Sequence, residues 1–521
     1  MYKTLWVSIF AGLTLYSGPV HTEQITFQLP KSAQTACQVE KYSRKINVGG
    51  SITREQAILH LKRSNSQSGA CILPIEDARS SSLSEMSVIL GQGKQTEGPN
   101  KKILEVKVKG QDLEAGVHYY EINPPKTNEA FILTINYQYL HLTVPKPSRL
   151  SQQDGLKQGM VWEGDLLGGF GSMPHALGDT LEVTVKVILN FLSSRFTNNT
   201  FNSTPTSRVF SNTSPSGFKV ESTNNGVIFT SSAASTELAS KPQSGLVHYH
   251  QPHPVMSIGN WTRLVEVSHW GNNVAIEDQI SLENRGPALK GSFSRVVHQT
   301  ALHTRAPGAT AHILTGLALD LPRGVMDPYY IDTIGNVSTS RFRPSLSPPI
   351  SPNGKESKLK KKEAKFSKLE LVPRYPIAGG WNYSFVIGYN LEAGRVLKQS
   401  AAGDYVLKVP FFTRIYDVPV DLATLRVRLP EGATNVKAFS PFPTLETQVD
   451  LIDKTYLDTT GRPTVLIKKA LCTDAHSGDI YISYSRPAYK SFQKPLAISG
   501  WMMTLFCLAA GLRRFEWKIG Y

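Results

Sequence analysis

Seventeen consecutive residues without a charge, Leu496 to Leu512, run directly into Arg513-Arg514. A helix of that length rises about 26 Å, slightly less than a hydrocarbon layer about 30 Å thick, so it spans if Trp501 and the flanking basic residues settle at the interfaces. The paired arginines place the short tail, residues 513–521, in the cytosol under the positive-inside rule. At the other end Lys3, a mostly apolar run from Leu5 to Tyr16, Gly18-Pro19 and the polar His21-Thr22-Glu23 follow the three-part layout of a secretory signal, expected to cover residues 1–22. Signal and stop-transfer span together predict a single-pass type I membrane protein with the bulk of the chain in a lumen.

That topology governs the other global features. An excess of 56 basic over 41 acidic side chains would suggest nucleic acid in a cytosolic protein, but none is expected for a lumenal chain. Six Asn-x-Ser/Thr sequons, at Asn198, Asn202, Asn212, Asn260, Asn336 and Asn382, lie on the lumenal side and are candidate glycosylation sites. Of four cysteines, Cys37 and Cys71 are a candidate lumenal disulfide, Cys472 lies near the membrane and Cys507 within the span. So few cysteines leave stability to ordinary hydrophobic cores.

Between signal and span, period-two apolar alternation outnumbers helical periodicity. It marks strands at Lys102–Lys109, Phe131–Val144, Leu181–Leu189, Thr424–Leu429 and Asp479–Tyr484. A faint internal repeat matches Ile46, Gly50, Leu59 and Leu61 with Val267, Gly271, Ile280 and Leu282, and the strand pattern starting at Phe131 with the one starting at Tyr383. The expected fold is mainly β: two sandwich-like, β-rich lumenal domains, 23–245 and 246–490, followed by one transmembrane helix, 496–512. Ser193–Ser244, dominated by Ser, Thr and Asn, is expected to be a mobile glycosylated loop too poor in apolar residues to bury a core. Arg343–Lys368, with its prolines and lysine cluster, is expected to be a solvated insertion.

Motifs for catalysis are not found. The sequence has no Walker loop, no dinucleotide-binding glycine pattern, no His-Glu-x-x-His and no Cys-x-x-Cys. His248, His250 and His253 read as a loop without metal, Gly168-Gly169-Phe170-Gly171 as a turn between strands, and Glu277-Asp278 as neighbours pointing to opposite faces of a strand. Neither cofactor nor metal is expected. In the span, Ser499, Gly500, Ala509, Ala510 and Gly511 are candidate helix-packing positions, since small residues permit close approach.

Four blocks carry a resemblance: TRLVEVSHWGN at Thr262–Asn272, YYIDTIGNVSTS at Tyr329–Ser340, PRYPIAGGWNYSFVIGYNL at Pro373–Leu391 and YLDTTGRP at Tyr456–Pro463, with GPALKGSFSR at Gly286–Arg295 and LPEGA at Leu429–Ala433 between them. They resemble the ribophorin I family, the first subunit of the oligosaccharyltransferase complex of the endoplasmic reticulum. The resemblance implies a noncatalytic subunit of the complex that transfers a preassembled glycan from dolichyl diphosphate to Asn of nascent chains. Implied partners are the other subunits, including the polytopic catalytic one, nascent polypeptides, the translocon and the lipid bilayer. It implies a role in complex assembly and substrate presentation, and Asn336 falls on the family's sequon. The tail after Leu512 is expected to be of the short fungal type, which puts in doubt any ribosome contact made by the long tail of animal members. Two alternatives of other classes are an independent lumenal module that binds glycans or chains, and a hydrolase ectodomain. Within the blocks, Gly379-Gly380 suits a turn before Trp381, and His269-Trp270 reads either as a partner-facing site or, as expected here, as a buried indole beside a hydrogen-bonded imidazole.

Overall fold

The computed structural model describes residues 37–514 apart from internal segments, the longest being 187–208, 232–242 and 346–365. The signal 1–22, Asn198 and Asn202, and the tail beyond Arg514 lie outside the described residues.

Alternating apolar residues build two large sheets. The first contains β1 (Cys37–Asn47), β2 (Ile52–Arg63), β3 (Leu83–Gly91), β4 (Lys102–Leu104), β5 (Phe131–Leu140), β6 (Thr180–Lys186), β7 (Lys219–Thr223) and β8 (Gly226–Ser231), in spatial order β7-β8-β6-β1-β2-β5-β3-β4. The second contains β9 (Met256–Ser268), β10 (Asn273–Asn284), β11 (Met326–Asp332), β12 (Gly335–Asn336), β13 (Asn382–Glu392), β14 (Val420–Arg428), β15 (Glu446–Asp453) and β16 (Arg462–Cys472), in order β15-β16-β14-β9-β10-β13-β11-β12. Every strand of the first sheet has its counterpart eight labels later, in the same place and chain order. Even the parallel pairings coincide, β1 with β6 and β9 with β14.

The packed layers repeat too. A three-stranded sheet from Cys71–Glu76, Val106–Asp112 and Val117–Ile122 corresponds to one from Leu317–Leu321, Ser340–Arg343 and Ser367–Leu371. A four-stranded sheet that includes Gly159–Asp165 and Ser244–His250 corresponds to one that includes Tyr405–Pro410 and Asp479–Ser485. Each half closes its own apolar core between these layers, the first around Leu59, Ile135, Trp162 and Phe229, the second around Trp261, Ile387, Leu425 and Ile482. Ser244–His250 pairs with Gly159–Asp165, so the pairing of the first half runs past residue 245 and puts His248 and His250 on a strand rather than in a loop.

The register makes the duplication exact to the residue. Leu61 lies opposite Phe131, and Leu282 opposite Tyr383; both β1 and β9 carry a bulge, at Val39/Lys41 and at Ile258/Asn260. Across the bulged hairpins Tyr42 faces Leu59 as Trp261 faces Ile280. This register confirms the matches of Leu59, Leu61 and Phe131 but shifts the first strand: the counterpart of Ile46 is Val265, not Val267. The hairpin tip of the second half is longer by two residues, and a match made without that insertion slips by the same amount.

One interaction ties the layers together in both halves. Arg44 on β1 and its counterpart Arg263 on β9 are buried, each paired with a buried carboxylate of the adjacent strand, Glu55 and Asp278. Arg263 holds Asp278 through two bonds of 2.6 Å, and donates from Nη1 to the Pro410 carbonyl at 2.8 Å. Arg44 donates from Nη1 to the Asp165 carbonyl at 2.8 Å, and Asp165 ends the strand that corresponds to the one ended by Pro410. Trp261 Nε1 and Thr413 Oγ1 also donate to Asp278, at 3.1 and 2.9 Å, and Arg79 donates to Glu55 at 2.9 Å. Burial of so many polar groups is tolerable because almost every lone pair and proton finds a partner.

Three sequence expectations are corrected. Lys102–Lys109 is not one strand: Lys102–Leu104 joins the large sheet and Val106–Asp112 the three-stranded one, with Val108 exposed, because the chain crosses between layers at Glu105. Part of Ser193–Ser244 is ordered into Val209–Thr213, β7 and β8, where Val227 and Phe229 are fully buried. Few apolar residues suffice there because β8 only completes a core that β6 has begun. The ends of Arg343–Lys368 are strand rather than solvated insertion: Arg343 closes Ser340–Arg343 and pairs with Lys368, while Ser367, fully buried, opens Ser367–Leu371.

The halves are joined head to tail. The β1–β2 tip of the first half rests on the second, where Asp417 accepts from the Ser51 amide at 3.1 Å and from Arg54 at 2.8 Å, and Arg54 also reaches Asp474 at 3.3 Å. Arg149–Leu150 pairs with Ala288–Leu289, and His141 meets Asp421 at 2.5 Å. Removing one member of a buried ion pair strands the other charge. Arg263→Ala is therefore expected to destabilise the second half by about 3–5 kcal/mol, whereas the double replacement Arg263→Met with Asp278→Leu recovers most of that loss. Hydrogen exchange across Met256–Asn284 in the detergent-solubilised full chain measures both.

Candidate functional site: the membrane-proximal mount

The C-terminal helix α2 (Gln493–Arg514) follows the shorter α1 (Arg295–Thr304) in the chain and is long and apolar enough to cross a membrane; no residue in it is buried. Its 22 residues rise about 33 Å. What distinguishes its base is the density of hydrogen bonds that hold it to the second half.

Two carboxylates organise the base. Asp458, in the connection between β15 and β16, has a fully buried side chain that accepts from Lys494 Nζ at 2.6 Å, from the Thr455 amide at 2.9 Å and from Arg462 Nε at 3.4 Å. Glu431, just beyond β14, accepts from the amides of Thr459 and Thr460 at 2.9 and 2.5 Å and from both their hydroxyls. Gln493, the first residue of α2, donates to Thr459 Oγ1 at 2.6 Å. Arg486 donates to the Glu431 carbonyl at 3.3 Å and to Ser491 Oγ at 3.0 Å. Trp270 at the tip of the β9–β10 hairpin donates from its indole to the Ser491 carbonyl at 3.1 Å. Gly432 and Gly461, at φ 80° and 88°, make the tight turns that bring these connections together.

The electrostatics fit a joint rather than a reactive centre. Burial opposes ionisation of Asp458, yet the bonds from Lys494 and Thr455 and the charge of Arg462 hold its carboxyl down at about 2. Burial likewise opposes ionisation of Glu431, and the Thr459 and Thr460 donors pull its pKa below the usual value. His269 is lowered to about 4 by burial and by Arg486, which leaves a neutral ring to share a hydrogen bond with Tyr484 at 2.8 Å. Both acids stay charged at neutral pH: the donors from Thr459 and Thr460 converge on Glu431 Oε1, while its Oε2 lies 3.9 Å from Lys494 Nζ.

The sequence blocks LPEGA, YLDTTGRP and SHWGN thus meet at one place, although they are far apart in the chain. The expectation for His269-Trp270 is half corrected: the imidazole is hydrogen-bonded, but the indole is 71% exposed because the lengthened tip projects it past both layers. From the sequence alone Lys494 borders the uncharged span and Asp458 precedes a tight turn, but neither they nor Glu431, Arg486 or Gln493 stand out as parts of one site. The available signal was the acidic residue in each turn block and the polar Gln493-Lys494 before an uncharged span.

A second cluster joins two other blocks. Arg374 grips Asp332 through bonds of 2.6 and 2.9 Å, and the amides of Ile334 and Gly335 also donate to it. Arg374 and these amides hold Asp332 at about 2, the Arg374 bond contributing most. Tyr330 and Tyr383 share a hydroxyl hydrogen bond of 2.8 Å beside it. The connection shapes the hairpin β11–β12, which presents Asn336 to solvent.

Asn260 and Asn382 are also exposed. Asn260 borders a shallow depression of about 310 Å³ on the second large sheet, lined by polar side chains such as Thr262 and Gln279 and by the apolar Ile280, Phe385 and Val386. Asn212 lies on Val209–Thr213 and donates to Ser222 Oγ at 3.0 Å. Cys37 and Cys71 form a disulfide, with Cα atoms 5.4 Å apart, at the edge between the large and small sheets of the first half. On α2, Ser499 and Ala510, and beside them Gly500 and Gly511, recur after roughly three turns and so share one side of the helix, with Ala509 one position away. Gly500 and Gly511 face open space. Among the described residues no group of three or more His, Cys, Asp or Glu is placed to hold a metal.

Two duplicated β-sandwiches followed by one apolar helix of membrane-crossing length define a mainly β protein of membrane-subunit type. The chain belongs to the Ribophorin I family, whose family model matches residues 37–513. It is 32% identical over 274 residues to the dolichyl-diphosphooligosaccharide–protein glycosyltransferase subunit 1 of Caenorhabditis elegans, a match that covers 52% of this chain and 42% of that relative's own length. To subunit 1B of Oryza sativa subsp. japonica it is 29% identical over 436 residues, covering 81% of this chain and 80% of the rice protein. The solved leukotriene A4 hydrolase of Saccharomyces cerevisiae aligns with a TM-score of 0.25 and 11% identity over 45% of this chain and 33% of that one, a likeness too slight to carry an argument.

Asp458→Asn and Lys494→Ala are each expected to speed hydrogen exchange at residues 488–494 by about tenfold, the loss of one charge-assisted bond. The pH dependence has a definite sign. An acid whose pKa falls from 3.8 to about 2 on folding adds stability that is complete above the ordinary value and lost as pH falls through about 2. The wild-type junction therefore loosens on acidification through that window, and Asp458→Asn flattens this dependence.

Proposed function

We propose that this chain is a noncatalytic, membrane-anchored subunit of an oligosaccharyltransferase complex in the endoplasmic reticulum. The family match across residues 37–513 carries the reading. The architecture supports it: the acids of the mount are committed to structural hydrogen bonds, and the two sandwiches offer long sheet surfaces on a fixed support. The β-rich halves lie in the lumen and the tail beyond Arg514 in the cytosol, an orientation supported by the basic pair Arg513-Arg514. Its partners are the other subunits, among them the polytopic catalytic subunit, which transfers the glycan from dolichyl diphosphate to the acceptor asparagine. Near that subunit and the translocon, the lumenal halves support assembly and keep nascent chains close to the transferase.

Small residues on one side of α2 leave room for a neighbouring helix, and the open space at Gly500 and Gly511 supports their use as packing positions. Glycans are assigned first to Asn336, at an exposed hairpin, and then to the exposed Asn382 and Asn260.

A tagged chain purified from mild-detergent microsomes is expected to recover the polytopic transferase together with glycan transfer to an acceptor peptide. Gly500→Leu with Gly511→Leu is expected to reduce that recovery at least fivefold without changing the chain's own abundance. Purification of the intact chain without the transferase would overturn the subunit reading; unchanged recovery with the double variant would overturn only the helix face.

A further inference from the structure

Duplication makes the two hairpin tips directly comparable, and they have different surroundings. In the first half the β1–β2 tip is covered: Val48 is buried, and Ser51 and Arg54 bind Asp417 of the second half. In the second half the equivalent tip is two residues longer and carries Trp270, 71% exposed, while its indole N–H is held by the Ser491 carbonyl just before α2. Tyr249 and Tyr484, on equivalent strands, hold the two tips, through the Val48 carbonyl and through His269. The second tip is thus a rigid element with an apolar ring directed away from the fold.

Two further aromatic side chains stand beside it. Tyr489 and Phe492, in the turn Ala488–Phe492 that leads into α2, are 68% and 63% exposed. All three rings flank the last polar residues before the uncharged stretch that starts at Leu496. Lys490 lies with its Nζ 5.8 Å from the Tyr489 ring. Exposed large aromatics grouped at one end of a soluble domain cost free energy in water, whereas indole and phenol rings are favoured at the headgroup level of a bilayer. Continuity with the helix fixes where that level is.

We propose that Trp270, Tyr489 and Phe492 form an interfacial anchor that enters the headgroup region of the adjacent bilayer leaflet, so that the β9–β10 tip, and not α2 alone, binds lipid. The occupant is phospholipid: a flat interface suits three separate rings carried on two short turns. The tip and the helix then make two points of attachment, and the fixed Trp270–Ser491 bond stops the second half from swivelling about α2. This inference is independent of the subunit assignment, since it concerns only the isolated chain and lipid.

The test uses the full chain in phosphatidylcholine nanodiscs, in a Trp6→Phe, Trp501→Phe, Trp517→Phe background. Of the indoles left besides Trp270, Trp162 and Trp261 are buried, and Trp381 packs against the second core. Lipid brominated at acyl positions near the headgroup is expected to quench the remaining fluorescence more strongly than lipid brominated near the chain ends. Adding Trp270→Phe is expected to remove most of that shallow quenching, with circular dichroism unchanged. Tyr489→Ser with Phe492→Ser, which keeps Trp270, is expected to weaken it about twofold or more. No depth-dependent quenching in the background, or quenching that survives Trp270→Phe in a folded protein, would overturn the proposal.

Discussion

A buried arginine on the first strand of each half, clamped to a carboxylate and reaching across to the end of a strand in the opposing layer, is the interaction around which both sandwiches are arranged. Dispersion and burial hold two sheets together but do not select how one slides over the other. A guanidinium with fixed donor directions does, because displacement by a residue would leave a desolvated charge without partners. Arg44 and Arg263 occupy equivalent positions and bond to equivalent carbonyls, those of Asp165 and Pro410. Their acids are not equivalent: Asp278 lies directly opposite Arg263, whereas Glu55 lies two residues along β2 from the residue opposite Arg44. The longer Glu side chain spans the diagonal. What the fold keeps is the cation and its link between layers, and the counter-charge can come from either of two neighbouring sites on the same face.

Around this shared frame, the halves differ mainly in what their edges do. The first half closes with its disulfide and gives its hairpin tip to the second half. The second half uses the connections after β14 and β15 and its own longer tip to grip the base of α2. The parts of the sequence that resemble a known family most strongly are concentrated in that second role. Their tryptophan, glycine and acidic residues serve the turns and buried bonds of the mount and the Asp332–Arg374 clamp.

Much of this architecture is legible in the sequence. Alternation at Phe131–Val144, Thr424–Leu429 and Asp479–Tyr484 marks three strands, found at Phe131–Leu140, Val420–Arg428 and Asp479–Ser485, because one face of each is buried and the other wet. The repeat is legible at Leu59, Leu61 and Phe131, which face their own core as their counterparts do. It slips at Ile46 because an insertion in a turn leaves no mark in a hydrophobic pattern. The strands at Val209–Thr213 and Gly226–Ser231 are hidden for a related reason: an edge strand that adds to an existing core needs only two or three apolar side chains, and the composition around it is polar. The mount is legible as separate short blocks but not as a site, since the pairing of Asp458 with Lys494 and of Glu431 with Thr459 and Thr460 depends on loops that only the folded sheet brings together.

The head-to-tail arrangement gives the molecule a fixed reach. The strand β9 runs from the junction with the first half to the base of α2, and its 13 residues extend about 43 Å. The first half therefore begins roughly 40 Å along the strand from the membrane-proximal end, as on the second storey of a tower. A ligand that touches both ends of this strand must be about that long, roughly a dozen residues if it is an extended peptide. Anything shorter meets one storey or the other, so length alone divides what can bridge the two halves from what cannot.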